Sequence, residues 1–152
     1  MIAPLRYSFE VECSVEHAFD VWTARTSTWW PKSSTMSHAD GLEVIFEGRP
    51  GGRIFERAPS GQEIDWGAIT VWEPPLRLGY SWHIAADVAS ATEVEIKFSD
   101  VGDEKTRVDI EHRGWEKLGE RGPGWRDTNR GGWEGTLPFY VAACTSTGLN
   151  RG

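Results

Sequence analysis

Apolar and polar residues alternate along much of the chain, which is the pattern of β-strands that bury one face. Residues 5–11 show it first, because every odd position there is apolar and every even position is polar. The same period returns over residues 76–82, 93–98 and 106–113, and residues 42–47 also predict a strand. The pattern therefore predicts an antiparallel sheet with one face packed on a core.

Residues 51–82 form the centre of the predicted sheet. They predict three antiparallel strands joined by two turns. Residues 59–61 (PSG) supply the first turn, and residues 74–75 (PP) supply the second, because proline cannot continue a hydrogen-bonded ladder. This stretch is rich in large rings and holds three of the nine tryptophans: Trp66, Trp72 and Trp82.

Two stretches have a helical period instead. Ser14 is suited to cap a helix, and apolar residues follow it at i, i+3, i+4 and i+7: Val15, Ala18, Phe19 and Trp22. A second apolar stripe predicts a C-terminal helix: Trp133, Leu137, Tyr140, Val141 and Cys144. Pro138 should kink that helix or mark its start, and the dense glycines of residues 114–135 predict an irregular connector before it.

The predicted order is a strand, one or two short helices, a meander of about six strands and a final helix. Pro31 biases Trp30 away from helical geometry, and residues 32–40 have the composition of a loop. An antiparallel sheet whose apolar face is covered by a C-terminal helix is an α+β fold. We expect a single domain over residues 1–152, a length that supports a core without disulfides or metals.

Charge and cysteine content narrow the class of protein. The 23 acidic residues outnumber the 16 basic ones, for a formal net charge of −7. Nucleic acids and anionic membranes both select a basic face, so neither is an expected partner. The two cysteines, Cys13 and Cys144, fit small core residues in a reducing compartment, with a disulfide between them as the alternative. With charged residues near the N-terminus and no apolar leader segment, we expect a cytoplasmic protein.

Several motifs resemble a known family. They are residues 14–19 (SVEHAF), 29–31 (WWP), 49–53 (RPGGR), 66–69 (WGAI), 72–78 (WEPPLRL), 92–95 (TEVE), 106–108 (TRV) and 132–133 (GW). In order and spacing they resemble the START-like (Bet v 1-like, SRPBCC) helix-grip superfamily. Within it, they are most similar to domains named for the activator of heat-shock-protein-90 ATPase. The resemblance implies a curved antiparallel sheet of six to seven strands wrapped around a long C-terminal helix, with a cavity between them.

A cavity between a ring-rich sheet and a helix would suit a small hydrophobic or aromatic ligand. The apolar candidates for its wall are Trp30, Trp66, Trp72, Trp82, Trp133 and Leu137. For each tryptophan, an ordinary place in the core is the alternative. Since nine tryptophans and six phenylalanines are more bulk than a sheet and two helices need, we expect at least some of these rings to face a ligand.

Three polar residues are candidates for anchoring a ligand. Glu56 shares the parity of Ile54, so it lies either at an exposed strand end or inside the pocket, where burial would raise its pKa. His112 continues an apolar parity and is either a satisfied core histidine or a hydrogen-bonding or acid/base group in the cavity. Glu63, three residues before Trp66, is the third candidate.

The sequence supports three functions. The first is binding of a small hydrophobic or aromatic molecule. The second, which the superfamily resemblance implies, is a cyclase, aromatase or dehydratase in which Glu56 or His112 moves protons. The third is the co-chaperone-like role in the family name. The spacing of histidines and cysteines fits no metal site or nucleophile motif, so we expect no metal, no cofactor and no assignable catalytic residue. An open edge strand would allow a homodimer.

Overall fold

A computed structural model describes residues 2–84 and 87–150 of the chain. Its strands are β1 (Leu5–Val11), β2 (Glu43–Phe46), β3 (Arg53–Arg57), β4 (Glu63–Glu73), β5 (Arg77–Trp82), β6 (Thr92–Gly102) and β7 (Lys105–Arg113). Its α-helices are α1 (Val15–Thr23) and α2 (Gly122–Asn150). Short 3₁₀ helices cover Thr26–Thr28, Lys32–Ser34, Val88–Ser90 and Trp115–Arg121.

The strands form one antiparallel sheet in the order β1-β7-β6-β5-β4-β3-β2. The strands from β2 to β7 are therefore a meander, and β1 closes against the last of them. Helix α2 contacts α1 and β1, and α1 also contacts β6 and β7. The predicted α+β helix-grip fold, with its curled sheet around a long C-terminal helix, is confirmed.

The first helix begins and packs as its sequence predicts. The Ser14 side chain accepts a hydrogen bond from the amide of His17 at 3.2 Å, which satisfies one of the free N–H groups of the first turn. The four residues of the predicted apolar stripe, Val15, Ala18, Phe19 and Trp22, are all buried. This burial holds the short helix against the sheet.

The turns of residues 51–82 also fall where proline and glycine place them. Gly61 takes a φ of 95° in the turn between β3 and β4. The peptide bond between Pro74 and Pro75 is cis, and the amide of Leu76 closes that turn on the carbonyl of Glu73 at 2.8 Å. The prediction that Leu76 shares the buried face of β5 is wrong: it precedes the strand and is 54% exposed, because the turn holds it outside.

The C-terminal helix is longer than its glycines suggest. The predicted irregular connector over residues 114–135 is wrong, since α2 begins at Gly122. Pro138 lies well inside α2 and does not mark its start. Glycine lowers helix propensity by only about 1 kcal/mol per residue, and the buried stripe from Trp133 to Cys144 outweighs that cost. The segment 32–40 likewise includes a short 3₁₀ helix where a loop was expected.

The described part of the chain includes no helix with the length and apolar composition needed to cross a membrane.

Candidate functional site

A cavity of about 320 Å³ lies between α2, the segment after α1 and the end of β5. Its wall is mostly apolar and includes four tryptophans. The lining residues are Trp30, Ser33, Ser34, Thr35, Met36, Trp82, Ile84, Trp125, Thr128, Asn129, Gly132, Trp133 and Thr136. This volume lies in the range of small-molecule sites.

Helix α2 supplies one wall through residues that recur on successive turns. Trp125, Asn129, Trp133 and Thr136 follow one another at spacings of three or four residues, so they share one face. Gly132 lies beside them, and a methyl group added there would meet no atom within 4 Å. The helix therefore offers two indoles, an amide and a hydroxyl, with free space at the glycine.

The opposite wall is a packed cluster of indoles. The Trp30 ring lies 5.1 Å from the Trp66 ring and 5.9 Å from the Trp82 ring, measured between centroids. The Trp30 indole donates to the Ser34 carbonyl at 3.1 Å, which fixes its orientation. Trp66 is fully buried and does not line the cavity, so it supports the wall from behind.

Glu56 holds the segment above the cavity in place. Its carboxylate is 1% exposed and accepts hydrogen bonds from the amides of Met36 at 2.6 Å and Ser37 at 2.8 Å. It also accepts one from the Trp66 indole at 2.8 Å. The expected raised pKa is wrong: burial alone would raise the pKa of Glu56, but these hydrogen bonds outweigh it and lower the pKa. Glu56 is neither at an exposed strand end nor in the cavity wall.

His112 lies behind the other wall. It is fully buried, and its Nδ1 accepts a hydrogen bond from the Trp133 indole at 3.0 Å. Its Nε2 lies 2.6 Å from the Thr92 hydroxyl. Burial lowers the pKa of His112 to about 3, so the ring is neutral at physiological pH. The structure thus places His112 as a satisfied core histidine that positions Trp133.

Three other predicted site residues lie outside the cavity. Glu63 stands at the exposed start of β4 and pairs with Arg53 at 3.1 Å and Arg57 at 3.0 Å. Trp72 packs on Phe19, with 5.2 Å between ring centroids, and lines a separate groove beside the turn of residues 74–75. Leu137 is buried in the core beneath α2 and is not among the lining residues.

Sequence reasoning missed several lining residues, above all Trp125, Asn129 and Thr136. They lie in or next to the glycine-dense stretch that predicted a connector. The signal was present, because Trp125 lies two helical turns before Trp133 and extends the apolar stripe toward the N-terminus.

The lining carries hydroxyl, amide and indole groups and no ionisable side chain among the described residues. A charged ligand would lose its hydration there without gaining a counter-charge, which is costly. The cavity is therefore chemically suited to a neutral aromatic molecule. No cluster of three or more His, Cys, Asp or Glu residues that could hold a metal ion occurs in the part of the chain that the structure describes.

Comparison with known proteins supports this architecture. The family described as activator of Hsp90 ATPase homolog 1-like protein matches residues 12–138. The anthrahydroquino-γ-pyrone synthase Txn09, solved in complex with SUM, is 36% identical over 81% of this chain and 84% of that one, with a TM-score of 0.59.

The self-sacrificing resistance protein CalC from Micromonospora echinospora shares the fold. It is 23% identical over 95% of this chain and 93% of that one, with a TM-score of 0.66. A search of the curated proteins finds no match.

Proposed function

Because the chain belongs to the family of activator of Hsp90 ATPase homolog 1-like proteins, we propose that it binds a small, neutral aromatic molecule in the cavity between its sheet and α2. One observation carries the proposal. Four indoles, Trp30, Trp82, Trp125 and Trp133, line a cavity of about 320 Å³, and none of the described residues in its wall is ionisable. Aromatic faces of this kind pair well with flat ring systems in offset or edge-on contact.

The similarity to Txn09 supports an aromatic ligand. Its name identifies it as a synthase of an anthrahydroquino-γ-pyrone, which is a polycyclic aromatic compound, and it is 36% identical to this chain. An aromatic, oxygen-bearing class of ligand agrees with the rings and hydroxyls of the wall described above.

Filling the cavity from within tests the proposal. Gly131 and Gly132 are both exposed glycines of α2, but Gly132 lines the cavity and Gly131 does not, so Gly132→Leu adds bulk at the cavity and Gly131→Leu is its matched control. A panel of neutral two- and three-ring aromatics is mixed with each protein and examined by native mass spectrometry and thermal melting. A ligand at 100 times its Kd should stabilise the folded state by about 2.7 kcal/mol.

We expect the unmodified chain and Gly131→Leu to bind members of the panel and Gly132→Leu to bind none. The proposal fails if no compound binds or raises the melting temperature, or if Gly132→Leu binds as well as its control. The same native spectra report whether the chain forms a homodimer, which stays a prediction.

A second candidate function is cyclisation of a reactive ligand, which the name of Txn09 favours. Neither Glu56 nor His112 lines the cavity, and both are fully engaged in hydrogen bonds. A cyclase of this form would act by holding a flexible chain in a folded, reactive shape rather than by moving protons with these two groups. Chromatography of the ligand released after incubation separates the two functions: an unchanged compound supports binding alone, and a new isomer or dehydrated product supports the enzyme.

The co-chaperone-like role and the cytoplasmic location stay predictions. The first rests on the family's description alone, and retention of a chaperone by the purified protein would be its direct test.

A further inference from the structure

The hydroxyl of Thr136 differs from the other buried hydroxyl in the cavity wall. Thr136 is 3% exposed, lines the cavity and has no hydrogen-bond partner among the described residues. Thr35, which is 6% exposed, donates to the Lys32 carbonyl at 2.6 Å and accepts from the His38 amide at 3.1 Å. Of these two buried hydroxyls, Thr136 therefore is the one that keeps its full bonding capacity for a bound molecule.

Two other polar side chains of the helix wall donate hydrogen bonds to α2 itself. The Thr128 hydroxyl donates to the Gly124 carbonyl at 3.1 Å, and the Asn129 amide donates to the Trp125 carbonyl at 2.9 Å. These bonds run back to the preceding turn of α2. A hydroxyl on Thr136 that made the same bond could still accept a hydrogen bond but could no longer donate one to a ligand.

The Thr136 oxygen is reached from the cavity. Among the described residues, three polar side-chain atoms are completely buried and have no hydrogen-bond partner: Tyr7 Oη, His17 Nε2 and Trp22 Nε1. The Thr136 oxygen is not one of them, although the residue is nearly buried, so its remaining contact is with the cavity that it lines. The same holds for the indole N–H of Trp82. Trp82 is 8% exposed, lines the cavity and makes no hydrogen bond through that group to a described residue.

Buried polar groups are almost always hydrogen-bonded, and a group that is not bonded within the protein is bonded by water or a ligand. A hydroxyl both donates and accepts, whereas an indole N–H only donates. A ligand that displaces water from Thr136 and Trp82 must therefore present an acceptor oxygen. Otherwise the hydrogen bonds that the water made are lost. A plain hydrocarbon cannot do so.

We propose that Thr136 selects the ligand by hydrogen-bonding a keto or phenolic oxygen on its ring system, with the Trp82 N–H as a second donor on the opposite wall. This assignment rests on the proposed function and specifies its ligand class: a neutral, oxygen-substituted, fused aromatic compound. Trp30, Trp125 and Trp133 contact the ring faces, and Thr136 forms a hydrogen bond with the oxygen substituent.

The test compares two ring-matched probes, 2-naphthol and naphthalene, by isothermal titration calorimetry. Thr136→Val keeps the β-branched shape and removes the hydroxyl, and Thr136→Ser keeps the hydroxyl. The matched control Thr23→Val removes a buried hydroxyl that is bonded to its own helix and does not line the cavity. We expect Thr136→Val to weaken 2-naphthol binding by about 3- to 10-fold, the loss typical of one neutral hydrogen bond, and to leave naphthalene binding unchanged.

Thr136→Ser and Thr23→Val should keep the preference of the wild-type chain for 2-naphthol. Unchanged naphthalene binding by Thr136→Val also shows that this variant is folded. The inference is overturned if the wild type binds both probes equally, or if Thr136→Val keeps the wild-type preference, and the proposed function survives either result. If the wild type binds neither probe nor any of the panel above, the proposed function itself fails.

Discussion

The indole nitrogen of Trp133 lies 3.0 Å from Nδ1 of His112, and this contact fixes the protonation of the histidine ring. An indole N–H can only donate, so Nδ1 must accept, and the neutral ring carries its proton on Nε2. Nε2 then donates to the Thr92 hydroxyl at 2.6 Å, and Thr92 donates to the Trp82 carbonyl at 3.3 Å. Two walls of the cavity are thus joined through one buried histidine.

The first prediction concerns the pH dependence of stability. The pKa of His112 is about 3 in the folded chain and about 6.5 when unfolded, so between these values the unfolded state binds the extra proton. The free energy of unfolding should therefore fall as pH decreases through this window, by up to about 1.4 kcal/mol per pH unit. Denaturant unfolding between pH 5 and pH 7.5 measures it.

His112→Gln keeps an acceptor for Trp133 and a donor for Thr92 but does not titrate, so its pH slope in this window should be nearly flat. Equal slopes in the wild type and His112→Gln would contradict the assignment.

The second prediction concerns Glu56 and the segment that it holds. Glu56→Gln leaves one amide oxygen for the Met36 and Trp66 donors and turns an –NH₂ group toward the Ser37 amide. Two donors then face each other in a buried site, which should lower the free energy of unfolding by about 1–3 kcal/mol. In this variant, the rate of hydrogen exchange should increase more at the amides of residues 36 and 37 than at the amides of the sheet.

Glu63→Gln is the control, because that carboxylate forms exposed ion pairs with Arg53 and Arg57. Exposed pairs contribute about 0–1 kcal/mol, so this variant should remain close to the wild type. The role given to Glu56 is wrong if the amides of residues 36 and 37 exchange at the same rate in Glu56→Gln and Glu63→Gln.

The third prediction contrasts glycines by the space around them. Gly131 and Gly135 lie in the middle of α2, and an added methyl group there meets no atom within 4 Å. Changing either to alanine should raise the free energy of unfolding by about 0.5–1 kcal/mol, since alanine favours the helix and restricts the unfolded chain. Thermal melting should rise by about 1–4 °C.

Gly67 should behave in the opposite way. A Cβ built on Gly67 would lie 1.9 Å from the Ser81 carbonyl oxygen across the β4–β5 pairing. Gly67→Ala must therefore push two strands apart and should be strongly destabilising. A Gly67→Ala variant with the same melting temperature as the wild type would show that the two strands are less closely packed than described.

The fourth prediction concerns the two thiols, which are free and buried. The hydrogen bond between Cys13 and Cys144, together with burial, raises the pKa of the Cys144 thiol well above its ordinary value. The same contact lowers the pKa of the Cys13 thiol, so the protection of Cys13 depends on its burial. Because both side chains are buried, a thiol reagent should label neither cysteine in the native chain and both in denaturant. Rapid labelling of Cys144 under native conditions would contradict its burial.

Local patterns predicted the sheet and the first helix well, because strand alternation and the Ser14 cap are encoded by near neighbours in sequence. The start of α2 was not predictable in this way. Its glycines disfavour a helix locally, and only the packing of residues such as Trp125 and Trp133 against the rest of the fold stabilises it.

The polar residues show the same limit. The parity of Glu56 allowed either an exposed strand end or a pocket, and that of His112 either the core or the cavity; both residues are buried. Their partners could not be read from the sequence, since the Met36 amide is 20 residues from Glu56 and Trp133 is 21 from His112. Burial follows strand parity, but a hydrogen-bond partner depends on how distant segments meet.

The indoles around the cavity also make the chain its own optical reporter. Six of the nine tryptophans form a connected series with neighbouring ring centroids 5.1–6.1 Å apart: Trp22, Trp29, Trp30, Trp66, Trp82 and Trp133. At such separations, excitation absorbed by one indole migrates to the others before it is emitted. A quenching ligand beside Trp30 should therefore darken the emission of the whole series, far more than the loss of one ring would.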